Sequence, residues 1–181
     1  LVFETGSNLK TIGKSAFGSN SKLSGTLTIP ASVETIGEEA FKECSSLTSL
    51  VFESNSNLKT IGSRAFGFNS NLTGKLTIPA SVETIEDDAF YASGITSLEF
   101  EAGSSIKTIG NYAFRDCKHL KVVFVNSNSN AFNKVNNNVS LRNKCIITED
   151  VSKNKNKYYD ETSQSCKAVT QCGKDEVESV A

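Results

Sequence analysis

SNLKTIGSRAFGFNSNLTGKLTIPASVETIEDDAF, from Ser56 to Phe90, is a near-copy of SNLKTIGKSAFGSNSKLSGTLTIPASVETIGEEAF, from Ser7 to Phe41. At an offset of 49, nine of the 35 aligned positions differ, and seven of those nine keep a polar or charged residue in both copies. Every aliphatic position, the Ala-Phe pairs and the prolines are retained. A stack of similar units behaves this way: positions facing a shared core repeat, and solvent-facing ones drift.

Outward from that stretch the pattern continues at half the interval. Ala-Phe pairs start at Ala16, Ala40, Ala65, Ala89 and Ala113, in steps of 24, 25, 24 and 24. An aliphatic-x-Thr-Ile quartet precedes each pair: Leu9 to Ile12, Val33 to Ile36, Leu58 to Ile61, Val82 to Ile85, Ile106 to Ile109. Ahead of each quartet lies a short apolar-rich run, from Leu1-Val2-Phe3 and Leu27-Thr28-Ile29 to Leu98-Glu99-Phe100, with a sixth at Val122-Val123-Phe124. Alternation over three or four residues predicts short, half-buried strands. A period near 24 falls within the ~20–29 residue range of leucine-rich repeats, whose units bury their apolar faces only by stacking. Each rung therefore holds two extended pieces, joined alternately by a long polar turn (Glu4 to Asn8, Glu53 to Asn57) and a short Pro-Ala-Ser turn (Pro30, Pro79). Gly-x-x-Ala-Phe reads as a tight or 3₁₀ turn that drives Phe inward. Glu86 stands where the other units have glycine, so that position does not demand a left-handed backbone.

Within the quartets Thr11, Thr35, Thr60, Thr84 and Thr108 form one column. Beside it Lys10, Glu34, Lys59, Glu83 and Lys107 alternate in sign. With strands about 4.8 Å apart, opposite charges face each other from rung to rung, a register device in which each pair stabilises by about 0.2–1 kcal/mol.

The formal net charge is −1 with charges scattered, which excludes a nucleic-acid footprint. No apolar run approaches the length of a membrane span. The chain opens at Leu1-Val2-Phe3, inside a repeat, which reads as a segment or processed form of a longer protein. We divide it into repeats at 1–125, a degenerate capping repeat at 126–147 that includes Cys145-Ile146-Ile147, and a Cys-containing tail or further module at 148–181. The Asn- and Ser-rich stretch 126–138 and the tail carry no clear helix or strand pattern.

LTIPASVETIGEEAFKECSSLTSL, Leu27 to Leu50, resembles the BspA-like leucine-rich repeat, with its L-x-x-I-x-I-P strand, V-x-x-I-G step and A-F-x-x-C-x-x-L close. The likeness covers Leu1 to Phe124. It implies a mainly β leucine-rich-repeat solenoid, a right-handed superhelix of short strands and turns, here with a polar Cys-containing C-terminal cap. It also implies a secreted or cell-surface protein whose relatives adhere to host matrix proteins, host cells or other microbes. The family carries no catalytic motif and calls for no cofactor.

Cys44 and Cys117 occupy the same place three rungs apart, about 14 Å at strand spacing and beyond disulfide reach. They read as buried thiols filling small apolar gaps. Cys145, Cys166 and Cys172 match no zinc spacing; in an exported protein they suggest one disulfide and one remaining thiol. His119, the only histidine, falls in a loop, and Glu38-Glu39 and Asp87-Asp88 fall in a slot that accepts any polar residue, a solvated turn. Asn71 and Asn138 head glycosylation sequons that matter only in a eukaryotic secretory route.

The expected function is non-enzymatic binding of a protein or glycan ligand on host matrix or cells, with a spacer in a longer surface protein as the alternative. Binding through the first-run strands would use an outward column of Val2, Thr28, Val51, Thr77, Glu99 and Val123, flanked by Ser49, Lys75, Ser97 and Lys121. Oligomeric state and ligand identity are not encoded in the pattern.

Overall fold

The computed structural model describes residues 1–4, 6–125, 130–141 and 144–147, with the backbone of two further strands at 157–160 and 165–168. The elements in order are β1 Thr11–Ile12, β2 Gly25–Ile29, β3 Thr35–Ile36, β4 Leu47–Phe52, β5 Thr60–Ile61, β6 Lys75–Ile78, β7 Thr84–Ile85, β8 Ser97–Phe100, β9 Thr108–Ile109, β10 Val122–Phe124, α1 Asn130–Asn137, β11 Cys145–Ile147, β12 Lys157–Asp160 and β13 Ser165–Ala168. The result is a β-solenoid of leucine-rich-repeat type. Its rungs are numbered by their Thr-Ile strands, from one (β1) to five (β9).

The Thr-Ile strands form one continuous parallel sheet, β1-β3-β5-β7-β9. Its register aligns all five threonines, and Ile12, Ile36, Ile61, Ile85 and Ile109 point inward. The first-run strands form two parallel sheets, β2-β4 and β6-β8-β10-β11. The break falls at the longest step between these strands, 26 residues from Leu50 to Leu76, and Gly74 just ahead of β6 takes a φ of 82°.

Phe41, Phe66, Phe90 and Phe114 are fully buried and stack face to face. With Phe17 they form a column with centroid separations of 5.1–5.3 Å and interplanar angles of 4–9°. The turn that delivers each ring is a tight turn rather than a 3₁₀ helix. Two residues per turn take left-handed backbone: Ser15, Glu39, Arg64 and Asp88 before the alanine, and Ser19, Glu43, Phe68, Ala92 and Asp116 two places after Phe. None is Asn or Gly, so composition gave no sign of them. What compensates is a ladder through the turn itself: Ser15, Phe17 and Ser19 N–H groups donate to Glu38, Ala40 and Lys42 carbonyls at 2.7–2.9 Å. Gly37, Gly62 and Gly110 are not left-handed, as Glu86 implied; they are small because a Cβ on Gly62 would lie 2.7 Å from the Gly37 carbonyl carbon.

The two turn lengths interlock. Glu53 and Glu101, on long-turn rungs, accept the Ala31 and Ala80 N–H of the Pro-Ala-Ser turns, both at 2.9 Å. Ser32 and Ser81 hydroxyls donate back to Leu9 and Leu58 carbonyls at 2.9 and 2.8 Å. Each short-turn rung is thus tied to the long-turn rungs on both sides, and this alternation matches the close repeat at 49 residues.

Two features depart from the sequence reading. Asn130–Asn137 is a helix, although Asn is a poor helix former. Burial of Ala131 and Val135, one helical turn apart, over the end of the stack outweighs propensity. Lys157–Asp160 and Ser165–Ala168 pair as an antiparallel hairpin within the stretch read as patternless.

Candidate binding surfaces

Thr28, Val51, Thr77 and Glu99 face outward from the first-run sheets, but Leu1-Val2-Phe3, expected as a strand, forms none. Val2 (92%) and Val51 (44%) are exposed, as is Thr28, and Thr77 and Glu99 are half-buried. Val123 is a correction: it is fully buried. β10 pairs with β8 as Val123↔Leu98 and Phe124↔Glu99, so the last member of the column is Phe124. Matching the strands by their Phe residues misplaces the register by one, which moves every side chain to the other face. Val125 takes the inward place of Phe100. By the same register Val122, not Lys121, lies beside Ser97. The charge in this face is internally satisfied: Lys75 pairs with Glu99 at 2.9 Å, and the Thr77 hydroxyl donates to the same carboxylate at 3.1 Å.

A second face was not foreseen. The turns around the Phe column carry Phe68, Tyr91 and Tyr112 on their outer side. Phe68 meets Tyr91 edge-on at 4.8 Å. The Arg115 guanidinium lies 4.6 Å from the Tyr91 centroid and 5.4 Å from that of Tyr112. Phe68 and Tyr112 are 42% and 48% exposed. The signal was present in the duplication: of its nine differing positions, Ser19/Phe68 alone exchanges a polar residue for an aromatic one. The acidic pairs of this turn are not merely solvated. Arg64 lies 3.9 Å from Glu39 and 3.5 Å from Asp88, and Lys14 pairs with Glu38 at 2.7 Å.

A family model for the BspA type leucine-rich repeat region matches in 6 copies, over residues 2–73 and 52–169. The chain belongs to the BspA-type leucine-rich repeat family. Among solved structures it is similar to the pneumococcal vaccine antigen PcpA, at 26% identity and a TM-score of 0.54, over 68% of this chain and 38% of that one. A leucine-rich cell surface protein from Faecalibacterium prausnitzii A2-165 matches at 24% identity and a TM-score of 0.34, over 64% of this chain and 42% of that one. The chain therefore spans about two fifths of the length of either protein. No curated protein matches it.

In this BspA-type chain the Cys position of the repeat is a hydrogen-bonding slot. Cys44 and Cys117 are free and buried, and their thiols donate to the Phe17 and Phe90 carbonyls, both at 3.1 Å. Asn69 does the same for Phe41 at 2.9 Å. Burial pushes both thiols above the ordinary cysteine value, away from reactivity. Cys145, in β11, is disulfide-bonded, to a partner outside the residues whose side chains are described. Cys166 lies in the β13 backbone and Cys172 outside the described residues. The Asn138 amide is buried and donates to the Ile109 and Gly110 carbonyls; Asn71 is exposed. His119 is exposed. Among the described residues no group of three or more His, Cys, Asp or Glu could hold a metal ion, and no helix is long and apolar enough to cross a membrane.

The charge column divides into a pair, Lys10–Glu34 at 2.7 Å, and a triad in which Glu83 faces Lys59 at 3.9 Å and hydrogen-bonds Lys107. The hydrogen bond from Lys107, and then its charge, hold the Glu83 carboxyl below the usual carboxylate range. A depressed carboxylate contributes stability above its unfolded value and loses it as pH falls through the folded one. Melting temperature is therefore expected to fall below about pH 4.5. Glu83→Gln should flatten part of that fall, and an unchanged profile would remove the triad from the account. The effect is small because the groups are exposed.

Proposed function

We propose that this chain is a non-enzymatic binding segment of a secreted or cell-surface protein, presenting its repeat surface to a protein or glycan of host matrix or cells. The observation that carries this reading is the separation of constant interior from variable exterior. Ile, Phe and Ala of each rung are committed to stacking, while the outward first-run column changes from Val2 to Thr28 to Glu99 along the stack. Solenoids use such extended faces for recognition. The likeness to a vaccine antigen supports exposure to a host. The groove between rung five and α1, about 250 Å³ and lined by Ile109, Asn111, Asn133, Lys134, Asn137 and Asn138, offers no acid–base pair for catalysis.

The test is binding of the chain to immobilised matrix proteins, intact cells and a glycan array. Saturable binding that Thr28→Lys and Val51→Glu abolish supports the first-run face. Silence across all three, with binding in a longer form of the protein, would make these rungs a spacer.

A further inference from the structure

We propose that the turn corner of rungs four and five, formed by Tyr91, Tyr112 and Arg115 and bordered by Phe68, with Lys118 and Lys121 following Arg115 in the chain, docks an acidic segment of a partner protein. This goes beyond the first-run reading and does not depend on it.

The fold does not need these side chains. The place of Phe68 is filled by Ser19 on rung one and Ala92 on rung four, and that of Tyr112 by Ser15 on rung one. Phe68 sits at φ 61°, a left-handed conformation that a bulky residue adopts poorly. Its ring nonetheless remains 42% exposed. Arg115 lies over two tyrosine rings while 49% of its side chain stays open to solvent. Tyrosine and arginine in such a preorganised cluster are the residues that dominate protein–protein binding energy.

Charge identifies the partner. Between Lys10 and Lys107, every Lys or Arg except Lys22 lies within 4 Å of a carboxylate. At the corner the pattern stops. Arg115 lies 4.0 Å from Asp116, its neighbour in sequence, and also feels the Asp88 charge, whereas no described carboxylate lies within ion-pair distance of Lys118 or Lys121. Lys144 stands beside Lys121, adding a further cation. An arginine on an aromatic centre, followed in the chain by two lysines with no described carboxylate in reach, complements a segment carrying both Glu or Asp and apolar residues. A planar guanidinium fork matches a carboxylate bidentately.

The probes are labelled peptides in which Glu alternates with Leu and Phe, the same peptides with Gln for Glu, and heparin. The acidic peptide should bind, with affinity falling as salt is raised, and the Gln peptide should bind at least about tenfold more weakly. Arg115→Ala should weaken the acidic peptide by about tenfold. Arg115→Lys, which keeps the charge and loses the fork, should recover only part of it. Circular dichroism and melting temperature of both variants should match the parent, and Lys22→Ala, which removes a lysine without an ion pair on rung one, should leave binding of the acidic peptide unchanged. Equal binding of the Gln peptide, no binding of either peptide, or indifference to Arg115→Ala overturns the proposal. Heparin binding that needs Lys118 and Lys121 in the absence of peptide binding overturns it too, and assigns the corner to sulfated glycans. Loss through Thr28→Lys or Val51→Glu alone would support the first-run face while sinking this one.

Discussion

Phe66→Ala is expected to destabilise the chain by about 4 kcal/mol, within the range for truncating a buried aromatic. Phe66 is fully buried, with Phe41 and Phe90 stacked on either side at 5.3 Å. Truncation removes the ring, both stacking contacts and the continuity of the column. In a one-dimensional stack each rung is stabilised by its neighbours. A gap at rung three therefore weakens two interfaces and should let the two ends unfold at different urea concentrations. Phe17→Ala provides the internal reference. That ring is half-buried, has a single stacked partner and meets Phe3 edge-on at 6.5 Å, so its loss should be well under half as large. Urea titrations followed by circular dichroism read both values. Equal losses for Phe17→Ala and Phe66→Ala would mean that the column is not the axis of the core.

That axis was legible in the sequence, because buried side chains leave a periodic trace. Ala-Phe pairs at a near-constant interval and a 49-residue copy that preserves every aliphatic residue require a stack. The Thr-Ile register followed directly. The register of β10 did not, because Val122-Val123-Phe124 offers three apolar residues and no polar one to mark the outward side. Burial of Val123 and Val125 decides it, and that is a matter of packing against Leu98 and the end of the stack. α1 was hidden for a similar reason: its Asn-rich composition argues against a helix, and only tertiary burial of Ala131 and Val135 argues for one. The aromatic corner was visible residue by residue but not as a surface. Phe68, Tyr91 and Tyr112 occupy different columns of the repeat, and the left-handed positions of the turns that bring them together hold no glycine.

Gly94→Ala is expected to cost about 3 kcal/mol, the upper end of what overpacking imposes. A Cβ at Gly94 would lie 2.1 Å from the Ser70 carbonyl oxygen and 3.2 Å from that of Leu72. These are main-chain atoms, so no side-chain rotation relieves the clash. The cause is a loop length. Between Phe and the next strand leucine, rung four has two residues fewer than rung three, and the shorter loop is drawn in against Ser70. Gly74 is the contrast: it has nothing within 4 Å but a φ of 82°, so Gly74→Ala meets backbone strain alone and should cost about 1 kcal/mol. Gly62→Ala should also cost less than Gly94→Ala, despite a close approach to Gly37. Glu86 fills that column one rung later and still donates its N–H to Ile61 at 2.9 Å, so this part of the stack opens to admit a side chain. Urea midpoints rank the three variants, and a loss at Gly94 no greater than at Gly74 would mean that the Ser70 loop yields freely. Gly94 lies three residues after Tyr91, so displacing this loop should disturb the aromatic corner while the first-run face keeps its geometry. Amide exchange should then quicken around Tyr91 and stay unchanged at Thr28 and Val51, which ties the shortness of one loop to the placement of one surface.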